Sequence, residues 1–431
     1  MRSLVFLLFL FLSATIYAVP AVIKSSVDRL ETSGRKPENL ILPYLFSTES
    51  MGLNVGAGAM ASGYYQDQMS IGATAYGGAI SSGVAVGVFN YQLPGTDRLY
   101  LTLNGMLGYY PEQRAYSATK TSFNPSPLSG SNNSSAADYI QADGSSNWWD
   151  IKLEYSLPIG ATKDKGIVDY QTRGGLLVSE PSGGESWNPL VSGSSVLMLR
   201  GFNRYQSFEQ DDNKLQGNVH AFELGLFYDN TDFYVNPSKG SKQYISISHN
   251  PSWKGMDDEW TFIEFEASRY FSLGESTSAS QRIIALNVWT GYSPTWELKT
   301  NDKGEQIVLG GAPYNEGATL GGFYRMRGYD QNRFHDKASF YTTAEYRHTL
   351  KHNPIVNLAW LQFLTVDWFQ LVGYIEAGRV ASKYNVKEMF SDLKSDVGLS
   401  LRTMTAGIVV RADIAVSEEG TNFWIMVDHP F

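Results

Sequence analysis

The chain has 431 residues, a formal net charge of −9 and no cysteine. The missing thiols exclude disulfides and thiolate metal sites, and the mild acidity argues against nucleic acid as a partner. With 41 Gly, 26 Tyr and 22 Phe beside a mean hydropathy of only −0.23, the composition suits strands that alternate lipid-facing and water-facing residues.

Residues 1–18 read as a secretory signal peptide. Arg2 supplies the positive start, Leu4 to Leu12 is almost wholly apolar yet too short to span a bilayer, and small residues near Ala18 or Ala21 offer cleavage. No later run is apolar enough for a membrane helix, so a membrane-integral mature chain has to be a closed barrel. Residues 19–46 read as a short periplasmic lead and 47–431 as the barrel. Strands are predicted near 51–64, 67–78, 82–92, 98–110, 147–157, 167–179, 195–207, 217–230, 241–250, 259–271, 281–291, 338–350, 369–380, 395–404, 407–417 and 421–431. Their period-two pattern puts Phe222, Leu224, Leu226 and Tyr228 on one face with Ala221, Glu223 and Gly225 on the other. Glu223, Glu264 and Glu266 are costly against lipid and are expected to face a wet lumen. A soluble sandwich would alternate in the same way. The signal peptide, the even strand number and the final strand favour the barrel. In that strand Phe423, Ile425, Val427, His429 and Phe431 are expected to share a face, as in the terminal signal by which outer-membrane barrels are recognised for insertion.

One stretch, 319–350, organises the rest. It opens on Leu320-Gly321-Gly322, continues through Met326-Arg327-Gly328-Tyr329, and enters an alternating strand that carries Glu345-Tyr346-Arg347. Asp229-Asn230, Pro237 and Gly240 form a turn signal between two strong strands. Tyr374, Glu376 and Gly378 share one face of a later strand. This ordered set resembles the outer-membrane-protein assembly superfamily, the BamA/TamA-like bacterial surface antigens. Met326 stands where the family has an aliphatic residue, Tyr374 for Phe and Glu376 for Asp. The resemblance implies an all-β fold: a transmembrane antiparallel barrel of about sixteen strands with an extracellular loop folded into the lumen. It also implies that Arg327, at the loop tip, meets Glu345 and Glu376 on the wall and locks the loop, while the Asp229–Gly240 turn is periplasmic. The short lead leaves no room for the periplasmic repeat domains that assembly members carry.

Strand parity counted from that turn puts Glu112–Ser146 on the periplasmic side. The apolar stretch Leu358–Phe369 is expected as an early strand start or a short interfacial helix. Trp148, Trp149, Trp187, Trp360, Trp368 and Trp424 read as interfacial girdles. Six histidines lie outside any HExxH pattern and no G-x-S-x-G elbow occurs, so no enzyme, metal or cofactor is expected, a Ser-His pair from different strands being the alternative left open. The expected partners are outer-membrane lipid, the barrel assembly machinery during biogenesis, and a polypeptide client or a separate periplasmic protein. The expected function is insertion or translocation of a protein or lipid at the outer membrane; the alternative is a passive pore or surface scaffold without a client.

Overall fold

The computed structural model describes residues 19–30, 38–48, 52–116, 128–210, 213–216, 218–253, 259–300, 302, 306–313, 315–358, 361 and 364–431; the signal-peptide reading of 1–18 and Trp360 lie outside them. The wall is an antiparallel barrel of sixteen strands: β1 Glu38–Thr48, β2 Gly52–Ser62, β3 Ser70–Gly78, β4 Ser82–Gln92, β5 Leu99–Ala115, β6 Ile140–Ser156, β7 Ser194–Gln210, β8 Val219–Thr231, β9 Gly240–Asn250, β10 Trp260–Ser272, β11 Ala279–Tyr292, β12 Ala338–Leu350, β13 Val366–Ala381, β14 Lys394–Thr405, β15 Ile408–Ser417 and β16 Gly420–Val427. Each strand pairs with the next in sequence, from β1–β2 round to β15–β16. A short strand, Asn213–Gln216, lengthens the β7–β8 hairpin. Among the described residues no ladder joins β1 to β16.

The alternation is what positions everything else. Phe222, Leu224 and Leu226 are exposed on the outer wall, while Ala221, Glu223 and Phe227 are buried inside. Outward apolar side chains suit lipid, and inward charges suit a lumen where protein groups can pair with them.

The total of sixteen strands matches the expectation, but two strands differ from it. Residues 167–179 are not in the wall. Val168–Arg173 pairs in parallel with Ser25–Arg29 and antiparallel with Leu176–Leu177, forming a small sheet at the periplasmic mouth. Conversely, the supposed lead contains β1, so the 46/47 boundary is corrected: the barrel begins at Glu38, and β1 replaces 51–64 as the first strand. Pro43 disguises β1 in the sequence; a residue without a ladder donor is tolerated because β1 is an edge strand. Removing 167–179 from the count reverses the parity upstream of it. The described part of the connection between β5 and β6, residues 116 and 128–139, is therefore extracellular, correcting the periplasmic reading of Glu112–Ser146, and the long periplasmic connection is 157–193. Of the apolar stretch Leu358–Phe369, residues 366–369 begin β13, while 359, 360, 362 and 363 lie outside the described residues.

Among the described residues three segments enter the lumen. The loop 293–337 enters from outside. Residues 19–24 enter from the periplasmic side: Ala21 and Ile23 pack against Val196, Met198, Phe227 and Tyr244. Lys24 pairs with Glu154 at 2.7 Å, Val22 N donates to Glu154 Oε1 at 3.0 Å, and Lys152 Nζ donates to Pro20 O at 3.0 Å. Residues 428–431 turn inward after β16 through Asp428, whose φ is +65°. Of the expected terminal signal, Phe423 is outward and exposed, while Ile425 and Val427 lie half-buried in the strand. His429 and Phe431 do not continue that face. His429 meets Arg402 at 2.8 Å, and Phe431 stacks on Tyr270 at 6.2 Å within the barrel. The positive φ breaks the period-two pattern, so the sequence alternation cannot be extended past Val427.

Candidate functional site

The tip of the lumen loop is built by glycine geometry. A two-residue ladder, Thr319–Leu320 against Phe334–His335, closes its base. Gly321 and Gly322 both hold positive φ, near +109° and +108°, which strongly favours glycine at these positions. Their amides donate to Arg325 O and Tyr329 O, each at 3.1 Å. Leu320, Met326, Tyr329 and Phe334 then pack in one apolar cluster with Phe262, Trp289, Tyr341 and Val380 of the wall. Gly328 is set against the wall itself: a Cβ there would lie 2.6 Å from Asp396 Cβ and 3.0 Å from Ser417 Cβ.

This packing delivers Arg327 to the barrel wall with no solvent exposure. Its Nε donates to Glu376 Oε1 at 3.1 Å, its Nη2 to Glu345 Oε1 at 3.0 Å, and its backbone N to Glu376 Oε2 at 2.6 Å. Its Cζ lies 3.4 Å from the Tyr374 ring centroid. The ring can lie flat because Gly398, directly cross-strand from Tyr374, has no side chain; a Cβ there would be 2.3 Å from the ring. The structure thus places Arg327 beside Glu345 and Glu376, the set the family resemblance implies, and adds the Tyr374 ring to it. Tyr329 O–H reaches Ser395 O at 3.2 Å, and Ser417 Oγ donates to Gly328 O at 2.6 Å, fastening the tip on either side.

Several members were not legible from the motif. Tyr341 O–H donates to Glu376, and Trp424 Nε1 donates to Arg327 O at 2.8 Å. Asp413 approaches Arg327 Nη1 at 3.6 Å and pairs with Arg411. Arg347 and Arg402 reach Glu345 at 2.9 and 2.7 Å. The arginines 327, 347, 402 and 411 thus face the acids Glu345, Glu376, Asp396 and Asp413, all buried and balanced in formal charge. The available signal was inward parity: Arg402, Arg411 and Asp413 fall on the faces that the strand alternation turns away from lipid. The girdle reading is corrected for Trp148, Trp368 and Trp424. The first two are buried, Trp368 bonding Gly175 O at 3.2 Å, and Trp424 serves the site.

A second set of contacts covers the tip from outside. Arg333, also fully buried, donates to Glu419 Oε1 and Oε2 at 2.8 Å and to Ser134 O at 2.6 Å. Tyr116 O–H reaches Asp330 at 3.1 Å, and Asn132 Nδ2 reaches Asp392 O at 3.0 Å. The extracellular segment 128–139 therefore bridges the mouth over the loop. Within it, burial pushes the Asp336 carboxyl up to about 6 and holds the His335 imidazole down at about 4. No metal-binding group of His, Cys, Asp or Glu occurs among the described residues. The arrangement is suited to holding a segment in place by charge-assisted hydrogen bonds.

No curated protein matches the sequence. Among solved structures the chain is similar to BamA from Haemophilus ducreyi lacking POTRA domains 1–3, at 13% identity over 91% of this chain and 69% of that one, with a TM-score of 0.47. It is also similar to CdiB from Acinetobacter baumannii (11%, 90% and 59%, TM-score 0.46) and to CdiB from Escherichia coli (12%, 91% and 60%, TM-score 0.52). The chain thus spans about three fifths of the two CdiB chains, and the last likeness bears on the fold alone. An Omp85 superfamily domain matches residues 43–422, which is nearly the whole barrel, so the chain belongs to the Omp85 superfamily and is an integral barrel of the Gram-negative outer membrane.

Proposed function

We propose that this barrel inserts or translocates a polypeptide at the outer membrane, with the 293–337 loop as a lumen plug and the β1/β16 boundary as the exit. The observation that carries the reading is how the two closures are made. The loop tip is attached to the wall by a compact, charge-balanced cluster around Arg327, which can be broken as a unit. The first and last strands, meanwhile, share no ladder among the described residues. Unpaired strand edges are templates for another extended chain. A client segment pairing at that boundary would displace little existing hydrogen bonding. Residues 19–24 block the lumen from the periplasmic side, so the resting barrel is closed at both ends. That disfavours a permanently open pore, although a closed scaffold without a client shares the same resting state.

The test is quantitative comparison of the outer-membrane proteins and lipids of a deletion strain with its parent. Loss of one or a few defined proteins, restored by the gene in trans, supports the proposal and names the client. An envelope unchanged in composition argues for the scaffold.

A further inference from the structure

The turn motif Asp229-Asn230 does more than reverse the chain. Asn230 Oδ1 accepts from Gly184 N at 3.1 Å and Ser192 Oγ at 2.7 Å, and its Nδ2 donates to Ser186 O at 2.7 Å. Tyr228 O–H adds a bond to Ser192 O at 3.0 Å. The end of the periplasmic connection, 182–193, is thereby held as a fixed loop on the outer rim of the barrel. It presents Trp187, Leu190 and Val191 with 65%, 65% and 68% of their surface exposed. On the same outer wall Leu197, Leu226 and Phe271 are exposed.

Trp187 lies over a charge. The Cζ of Arg269, on the outer face of β10 near its periplasmic end, sits 4.7 Å from the Trp187 ring centroid and 5.5 Å from that of Phe271. Among the described residues no carboxylate pairs with this guanidinium and it donates no hydrogen bond. An arginine facing lipid is tolerated near the interface, where a phosphate can meet it, and far less at mid-depth. The two rings hold the planar group while leaving its N–H fork free for the bidentate geometry that phosphate oxygens accept.

We propose that Arg269, Trp187 and the adjoining Leu190–Val191 form a binding site for one phospholipid of the periplasmic leaflet. The guanidinium takes the headgroup phosphate, and the indole and aliphatic side chains lie along the glycerol and upper acyl region. Asn230 is a positioning residue: it sets the loop that carries Trp187. The site is independent of the Arg327 cluster and of any client.

Native mass spectrometry of the intact protein, released from detergent with graded dioleoylphosphatidylglycerol, tests this. The wild type is expected to retain one phosphatidylglycerol selectively. Arg269→Gln should weaken that binding about tenfold, the order expected for a lost charge-assisted pair, and Trp187→Ala should weaken it several-fold. Lys387→Gln, on the extracellular side, should leave it unchanged. Dioleoylglycerol, which lacks the phosphate, should not be retained, and millimolar inorganic phosphate should not displace the lipid. Equal retention by Arg269→Gln, equal retention of dioleoylglycerol, or displacement by inorganic phosphate would each overturn the proposal. Folding of each variant is read from the mobility of unheated samples. If Arg269→Gln does not fold, undiminished retention by Trp187→Ala overturns it instead.

Discussion

Replacing Arg327 by alanine is the perturbation whose consequences the structure defines most closely. The side chain bonds Glu376 and Glu345, stands 3.6 Å from Asp413, and covers the Tyr374 ring, all without exposure. Its acidic partners are not left equally alone. Glu345 keeps Arg347 and Arg402, and Asp413 keeps Arg411. Glu376 keeps the Tyr341 hydroxyl and the residue 327 amide but no cation among the described residues, and its cross-strand neighbour and hydrogen-bond partner is another acid, Asp396. Removing one partner of a buried pair costs about 3–5 kcal/mol because the survivor stays desolvated, equivalent to about two to three and a half decades in the docking equilibrium of the loop. Arg327→Lys should fall between, since a single ammonium cannot serve Glu376 and Glu345 with the same fork. Hydrogen exchange across 319–337 in the folded, membrane-inserted barrel reads the docking directly. It should accelerate by at least about a hundredfold in Arg327→Ala, with higher single-channel conductance in planar bilayers. Exchange and conductance equal to wild type would refute the claim that this cluster holds the loop.

Further outcomes follow from the other contacts. Arg333→Ala strips three charge-assisted bonds to Glu419, two of them shared by Nε, and two bonds to Ser134; a hydrogen bond to a charged group is worth about 1.5–3 kcal/mol. The 128–139 bridge should then become accessible to protease added to intact cells, and unchanged resistance would contradict its role as a cover. Glu154→Gln leaves Lys24 buried without its carboxylate, so residues 19–24 should leave the lumen and raise conductance independently of Arg327. An identical conductance would mean the segment is held by its apolar packing. The neighbours His335 and Asp336 should oppose one another with pH. The Asp336 carboxyl is raised from 3.8 to about 6, so its ionisation weakens docking as pH rises through that window. The imidazole is lowered from 6.5 to about 4, so its protonation weakens docking as pH falls through that window. Loop protection, meaning exchange corrected for its intrinsic pH dependence, should therefore vary little in the wild type between pH 4 and 6. His335→Gln should make docking tighter on acidification and Asp336→Asn looser; the same profile in all three proteins would contradict the assignment.

The contrast between what the sequence disclosed and what it hid has a physical basis. Barrel strands such as β8, with Phe222, Leu224 and Leu226 outward, announce themselves because lipid and lumen impose opposite polarity on alternate residues. The strand at 167–179 carries the same alternation for another reason: it lies between solvent and the small core of Val168, Tyr170 and Phe233 under the barrel. Period two reports a two-sided environment without saying which one. β1 went unseen because Pro43 interrupts its pattern, and the two errors offset each other in the total while reversing the sidedness of 128–139. At the site, Arg327, Glu345 and Glu376 were legible through the family resemblance, which carries the loop-tip arginine and the inward acids of two later strands as one ordered motif. Arg402, Arg411 and Asp413 were not, because their partners come from strands distant in sequence and from the inward turn after Val427, where Asp428 takes a positive φ.

The measurement that bears most directly on the proposed role is a cross-link at the β1/β16 boundary. The chain contains no cysteine, so paired cysteines can be scanned along 38–48 and 420–427 without background. A pair that closes should be returned to the deletion strain and its outer-membrane proteins quantified with and without reductant. The account predicts that the oxidised, closed barrel fails to restore the missing proteins and that reduction restores them. Full restoration by the barrel while it remains cross-linked would contradict an exit at this boundary.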